Sequence, residues 1–322
     1  MQYLIRSTPT ATALDAHVSP TTWNAGDDDS VLANIGFSFP FNGTTYTSVY
    51  INSNGMLNFN ASNTAYANQA LPYNTVPQSI YPYWDDLTRS VLLGVDGTIR
   101  YETLGSGDTQ RFVVTWSNFP ICTVYALGIC ITLSPNRHTF QIVLYKNGDI
   151  RFRYPNTGNN AANGSSATIG AQENTTNYDQ YSYNTTSINF TFDILYSYLP
   201  SLSVSKTSCV IYDPVNNTTN PKRIPGSTIR YAIQVTNSDY GTASNVFVTD
   251  TVDSSALDTS TIRYLQIQDG VCDCAGVSSA NNNGPSGSAD GVNPVILDYG
   301  SITGVVGGVP VQKCGYFEVD IQ

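Results

Sequence analysis

Charge is what this chain has least of: only 12% of its 322 residues are Asp, Glu, Lys or Arg, against roughly 25% in an average globular protein. Its 14 basic residues are outnumbered by 24 acidic ones, for a formal net charge of -10. So few cations cannot neutralise a run of phosphates, which argues against nucleic acid and anionic membrane surfaces as partners. Histidine is scarcer still. His17 and His138 lie in unrelated segments with no Ser or Cys partner pattern around either, and a catalytic triad or metalloenzyme needs more convergent groups. There is no apolar run of the roughly 18 residues that a spanning helix requires. The opening Met1-Gln-Tyr-Leu-Ile-Arg6 lacks the apolar core of a signal peptide, so a mature chain or a piece of a longer one is expected. No segment carries a helical period with caps.

Polarity comes instead from 22 Tyr and abundant Asn, Thr, Ser and Gly, the composition of an extracellular β protein. Gly36 to Phe59 reads as a meander, strand to strand through Asn42-Gly43 and Asn54-Gly55, because Asn-Gly supplies the positive φ angles of tight hairpins. The same turn chemistry at Asn147-Gly148 joins two alternating runs between Phe140 and Tyr154. Further strands are predicted over 97–102, 110–117 and 166–172. After Leu199-Pro200 the pattern restarts, with strands over 201–207, 227–237, 245–252, 295–299 and 315–321 and an exposed polar tract at 278–291. The expected fold is all-β, two antiparallel β-sandwich domains with the second Ig-like. The expected boundaries are an N-terminal arm over 1–20, a first domain over 21–199 and a second over 200–322.

Six cysteines, an even number, suit an oxidising compartment. Cys122 and Cys130 bracket a short loop between strand-like runs, so a disulfide there requires local strand pairing. Cys209, Cys272, Cys274 and Cys314 allow three connectivities, with Cys272 and Cys274 expected to bond elsewhere than to each other. A zinc site competes poorly, since Cys272-Asp-Cys274 is one residue short of the usual spacing and has no His nearby. Asn-x-Ser/Thr glycosylation acceptors stand at Asn42, Asn60, Asn163, Asn174, Asn184, Asn189, Asn216 and Asn217.

Adjacent carboxylates at Asp85 and Asp86 are candidate Ca²⁺ ligands at a strand end. The plainer reading is that one Asp caps a turn while Trp84 fills the core. Asp27-Asp28-Asp29 is a second acidic cluster on a Gly-led loop. Lys206 on one strand could face Glu318 or Asp320 on the last and form an internal isopeptide bond, although the surrounding motif is missing. The tyrosines at 178, 181 and 183 and at 196 and 198 are candidate carbohydrate platforms or interface residues.

Phe37-Ser-Phe-Pro-Phe-Asn-Gly43, Ile51-Asn-Ser-Asn-Gly-Met-Leu-Asn-Phe59, Tyr83-Trp-Asp-Asp-Leu87, Arg111-Phe-Val-Val-Thr-Trp116 and the hairpin from Phe140 to Phe152 follow one another in the order seen in a prokaryotic surface module. Together they resemble the nidogen-like extracellular domains. Val204-Ser-Lys-Thr207, Asn220 to Tyr231, Gln234-Val-Thr-Asn237 and Asn245-Val-Phe-Val-Thr-Asp250 resemble a DUF11-type Ig-like repeat. Both resemblances imply adhesins, stalks or surface filaments, without enzymatic activity or cofactor. The expectation is a cell-surface filament or stalk subunit that polymerises with copies of itself, with residues 2–14 as a donor strand for the next copy. The alternative is a monomeric adhesin that binds surface glycans or other cells.

Overall fold

The Asn42-Gly43 turn carries φ angles of 48° and 78°, the left-handed pair that a two-residue hairpin demands, and it sets the register Phe41↔Thr44, Pro40↔Thr45, Phe39↔Tyr46. At Gly55 the reason is space: a Cβ there would lie 2.0 Å from the Tyr83 carbonyl oxygen. Only glycine lets this turn approach the Tyr83 carbonyl so closely, and its φ of 80° favours glycine as well.

The computed structural model describes residues 4–89, 97–126, 129–131, 135–157, 160–277, 290–305 and 309–322. The chain divides into two compact units, Met1–Tyr198 and Leu199–Gln322. The first contains β1 (Leu4–Ser7), β2 (Thr21–Trp23), β3 (Ser30–Phe41), β4 (Thr44–Asn52), β5 (Met56–Asn58), β6 (Ser79–Trp84), β7 (Thr98–Leu104), β8 (Arg111–Phe119), β9 (Val124–Ala126), β10 (Ile129–Ile131), β11 (His138–Tyr145), β12 (Ile150–Arg153), β13 (Thr168–Gln172), β14 (Tyr178–Tyr183) and β15 (Ile194–Tyr198). Two antiparallel sheets result, ordered β1-β15-β12-β11-β8-β7-β2 and β14-β13-β6-β5-β4-β3, and β9 and β10 form a separate hairpin. Pro40 falls on β3, an edge strand, where its missing N–H breaks no inner ladder. Pro82 lies in an inner strand, and a register shift between Thr168 and Gly170 in the β13–β6 pairing accommodates it.

Alternation sends Phe39, Phe41, Ile51, Trp116, Phe140, Ile142 and Phe152 into one core. Phe140 stacks between Tyr83 at 5.3 Å and Trp116 at 5.0 Å. Each such ring contributes roughly 2–3 kcal/mol by burial. Polar tips then tie the layers: Trp116 Nε1 donates to Asn52 O at 3.1 Å, Tyr154 Oη to Pro82 O at 2.6 Å, and Asn42 N to Tyr198 Oη at 2.7 Å. These bonds satisfy groups that would otherwise be buried without partners.

The second unit contains β16 (Leu202–Tyr212), β17 (Thr228–Asn237), β18 (Ala243–Asp250), β19 (Leu257–Asp269), β20 (Val295–Ile302) and β21 (Val311–Ile321), arranged as a sheet β16-β17-β21-β19 and a pair β18-β20. Period-two alternation divides β17. Ile229, Ile233 and Val235 join a core with Leu297, Tyr299 and Phe317, while Ala232 joins a second cluster with Leu265, Val277 and Tyr316. Strand β19 has no counterpart in the expected pattern, because register shifts at Asp258/Arg263 and Tyr264/Gln266 break its alternation. Of the expected polar tract, 278–289 lie outside the described residues.

Candidate functional site

The arm over 1–20, expected as a donor strand for another copy, closes on its own domain. Its described part begins with β1, which pairs antiparallel with β15 from Leu4↔Tyr198 to Ser7↔Leu195 and forms the edge of the seven-stranded sheet. Thr10 bridges to Phe192. The arm then crosses the sheet's outer face, where Gln141, Arg151, Arg153, Thr115 and Glu102 alternate with the core-facing residues. Thr12 donates through its N and Oγ1 to Asp193 at 3.2 and 2.8 Å. Asp15 bonds Gln141 through both backbone groups and pairs with Arg111 at 2.6 Å and Arg153 at 2.9 Å. Burial works against the Asp15 charge, and the two guanidiniums outweigh it and hold the carboxyl below its usual range. No residue from Arg6 to Pro20 is buried, so hydrogen bonds and ion pairs hold this strap.

Farther along the strap, His17 bonds Glu102 Oε1 and Thr115 Oγ1, each at 2.9 Å. The sequence showed no partner for this histidine, yet folding builds a hydroxyl–imidazole–carboxylate line. The line lacks what acyl transfer requires. Thr115 is 4% exposed and also accepts a bond from Gln141 Nε2, so its oxygen has no approach for a substrate. Glu102 also accepts the N–H groups of Val18 and Ser19; burial opposes its charge, and these bonds prevail and lower its pKa.

Two acidic loops separated in sequence meet around one asparagine. Asn54 Nδ2 donates to Asp28 Oδ1 at 2.9 Å, and Asn54 Oδ1 accepts the Leu87 N–H at 2.9 Å. Asp85 is 5% exposed and accepts from Ser166 Oγ at 2.6 Å and from the Asp86 N–H. Burial raises its pKa to about 6. Asp86 is also raised to about 6, by burial and then by the charges of Asp28, Asp27 and Asp85. Of the expected calcium pair, Asp85 is engaged by the turn and by Ser166, while Asp86 faces the charges of Asp28 and Asp27 on the other loop. Among the described residues no three His, Cys, Asp or Glu side chains form a group that could hold a metal ion.

The cysteines pair as Cys122–Cys130, Cys209–Cys274 and Cys272–Cys314. The last two fasten the loop after β19 to β16 and β21. Asn42 is 7% exposed at its turn, so its amide has no room for a glycan. Asn60, Asn184, Asn189, Asn216 and Asn217 are exposed, and Asn163 and Asn174 are half-buried. Tyr196 and Tyr198 cannot serve as a surface platform, because strand alternation buries both, whereas Tyr178 and Tyr183 remain exposed. Lys206 pairs with Asp250 at 2.5 Å over the Tyr231 ring, not with Glu318 or Asp320. Those two carboxylates belong to the opposite face of the sheet, where Glu318 binds Arg230 and Arg263 and Asp320 accepts from Thr228.

Residues 4–198 match the family model described as NIDO related. Nidogen of Drosophila melanogaster is 26% identical over 166 residues, covering 45% of this chain and 12% of that protein. The chain thus spans about an eighth of the curated relative's length. No solved structure matches. With the match covering more than half of its length, the chain belongs to the NIDO-related family.

Proposed function

We propose that this chain is a non-enzymatic extracellular structural module that joins copies of itself into a surface filament or stalk by exchanging the N-terminal arm. The likeness to nidogen supports an extracellular structural or adhesive role, and three disulfides suit an oxidising compartment. The second unit, with its DUF11-like motifs and sheets of four and two strands, is read as an Ig-like spacer.

One observation carries the exchange: the strap from Arg6 to Pro20 contains no buried residue, and its partners are polar groups on the outer face of the sheet. A neighbour's arm makes identical contacts, so exchange costs little in enthalpy and converts a closed monomer into an open chain. Released, residues 2–14 extend about 40 Å at about 3.3 Å per residue. Electron microscopy of the full chain at neutral pH tests the reading. Filaments that vanish when residues 2–14 are deleted support it, and filaments that persist without the arm refute it.

The self-paired arm favours a second reading, a monomeric adhesive module whose arm stays home. Dispersed particles with and without residues 2–14 select that reading.

A further inference from the structure

Beside the Cys122–Cys130 hairpin lies a recess of about 240 Å³, whose polar lining comes from Thr123, Asn136, His138, Asn163, Ser165 and Ser166. None of these six side chains is an acid, a lysine or an arginine. His138 is 5% exposed and its Nδ1 lies 3.0 Å from the Phe119 carbonyl oxygen. A carbonyl only accepts, so Nδ1 carries the proton, and burial lowers the ring's pKa and favours the neutral form in which Nε2 accepts. The remaining polar lining consists of amide and hydroxyl side chains. Ile121 and Ala161 supply an apolar portion.

We propose that this recess binds a neutral, hydroxyl-rich ligand, the terminal sugar of a glycan. An anion or cation would find no opposite charge among the lining side chains and would lose hydration without compensation. A sugar ring has hydroxyls matched to mixed amide and hydroxyl partners and a C–H face suited to an aromatic ring. Tyr125 follows Thr123 by two residues on the stapled hairpin and is 71% exposed, and its ring is assigned to that face of the sugar. The volume lies below the range typical of drug-sized ligands, which fits one sugar unit better than an extended chain.

The recess is built before any ligand arrives. Asn163 Oδ1 accepts the Ser165 N–H at 3.0 Å, Ser166 Oγ is anchored on Asp85, and the Ala161 N–H donates to Arg137 O at 2.7 Å. Fixed walls reduce the ordering cost of binding. This inference deepens the adhesive reading and is independent of arm exchange, since filaments can form without sugar binding and sugar can bind without filaments.

The test is saturation-transfer NMR on the full chain with the methyl glycosides of galactose, glucose, mannose and N-acetylglucosamine, followed by calorimetry on any that respond. At least one glycoside is expected to bind. Ser165→Trp, which fills the recess from an exposed position, and Tyr125→Ala should each weaken it by roughly tenfold or more while the thermal midpoint stays that of the parent. Tyr125→Ala keeps the test informative if the bulkier variant misfolds. Silence from all four glycosides overturns the proposal, as does binding that both variants leave unchanged.

Discussion

The Asp15 carboxylate sits 2.9 Å from Arg153 Nη1, on an arginine whose side chain is only 6% exposed. The arm therefore supplies the charge that a buried guanidinium on the sheet requires. Asp15→Ala should cost about 2 kcal/mol, below the full penalty for breaking a buried pair because Asp193, Gln141 and Tyr145 remain near Arg153. Urea unfolding measures the loss, and limited proteolysis should cut the variant first within residues 6–20.

Acid should loosen the same strap. Asp15 and Glu102 both have folded pKa values below their unfolded ones. Their stabilisation is present above the unfolded values and is lost as pH falls through the folded ones. Cleavage of the arm at pH 3 should exceed cleavage at pH 6 in fully folded protein. Equal rates at the two pH values contradict this account of the latch.

Asp86 has the opposite sign. A carboxyl raised to about 6 contributes its relative stability below the unfolded value and loses it as pH rises through about 6. Asp86→Asn should raise the thermal midpoint at pH 7 by the equivalent of about 1 kcal/mol, after allowing for solvent screening, and change little at pH 4. Calcium or a chelator should leave the parent midpoint unchanged. Stabilisation by calcium together with destabilisation by Asp86→Asn identifies a cation site instead.

Much of the first unit was legible from local chemistry. Asn42-Gly43, Asn54-Gly55 and Asn147-Gly148 mark turns at which strands reverse: both residues of the first have positive φ, and in the other two the glycine alone takes it. What could not be read was longer in range. Nothing near His17 announces Glu102 and Thr115, and nothing links Asp28 to Asp86 until Asn54 clamps their loops together. The burial of Tyr196 and Tyr198 is not legible because local pattern carries a strand's parity without saying which parity faces inward. Strand β19 has no alternating signature because Asp258, Ser260 and Thr261 occupy its irregular section. Lys206 found Asp250 because the two sheets of that unit pack face to face, a relationship between strands that local patterns do not encode.

In the second unit, Arg230 Nε and Nη2 both donate to Glu318 Oε1, at 3.0 and 2.8 Å, and Glu318 is fully buried. Glu318→Gln leaves the arginine facing a neutral amide and should cost about 3 kcal/mol in urea unfolding of this unit. By loop-closure entropy, removing Cys209–Cys274, with a sequence separation of 65, should cost about 4 kcal/mol, against about 2.5 kcal/mol for Cys122–Cys130 with a separation of 8. Differential scanning calorimetry of the two double-serine variants checks that order.

The most direct test of arm exchange uses the register Ser7↔Leu195. A Ser7→Cys, Leu195→Cys variant can cross-link the arm to whichever sheet it occupies. Oxidised and run on a non-reducing denaturing gel, it should give a ladder of covalent multimers if each arm is exchanged into a neighbouring copy as proposed. A single cross-linked monomer band under conditions that produce filaments would contradict exchange.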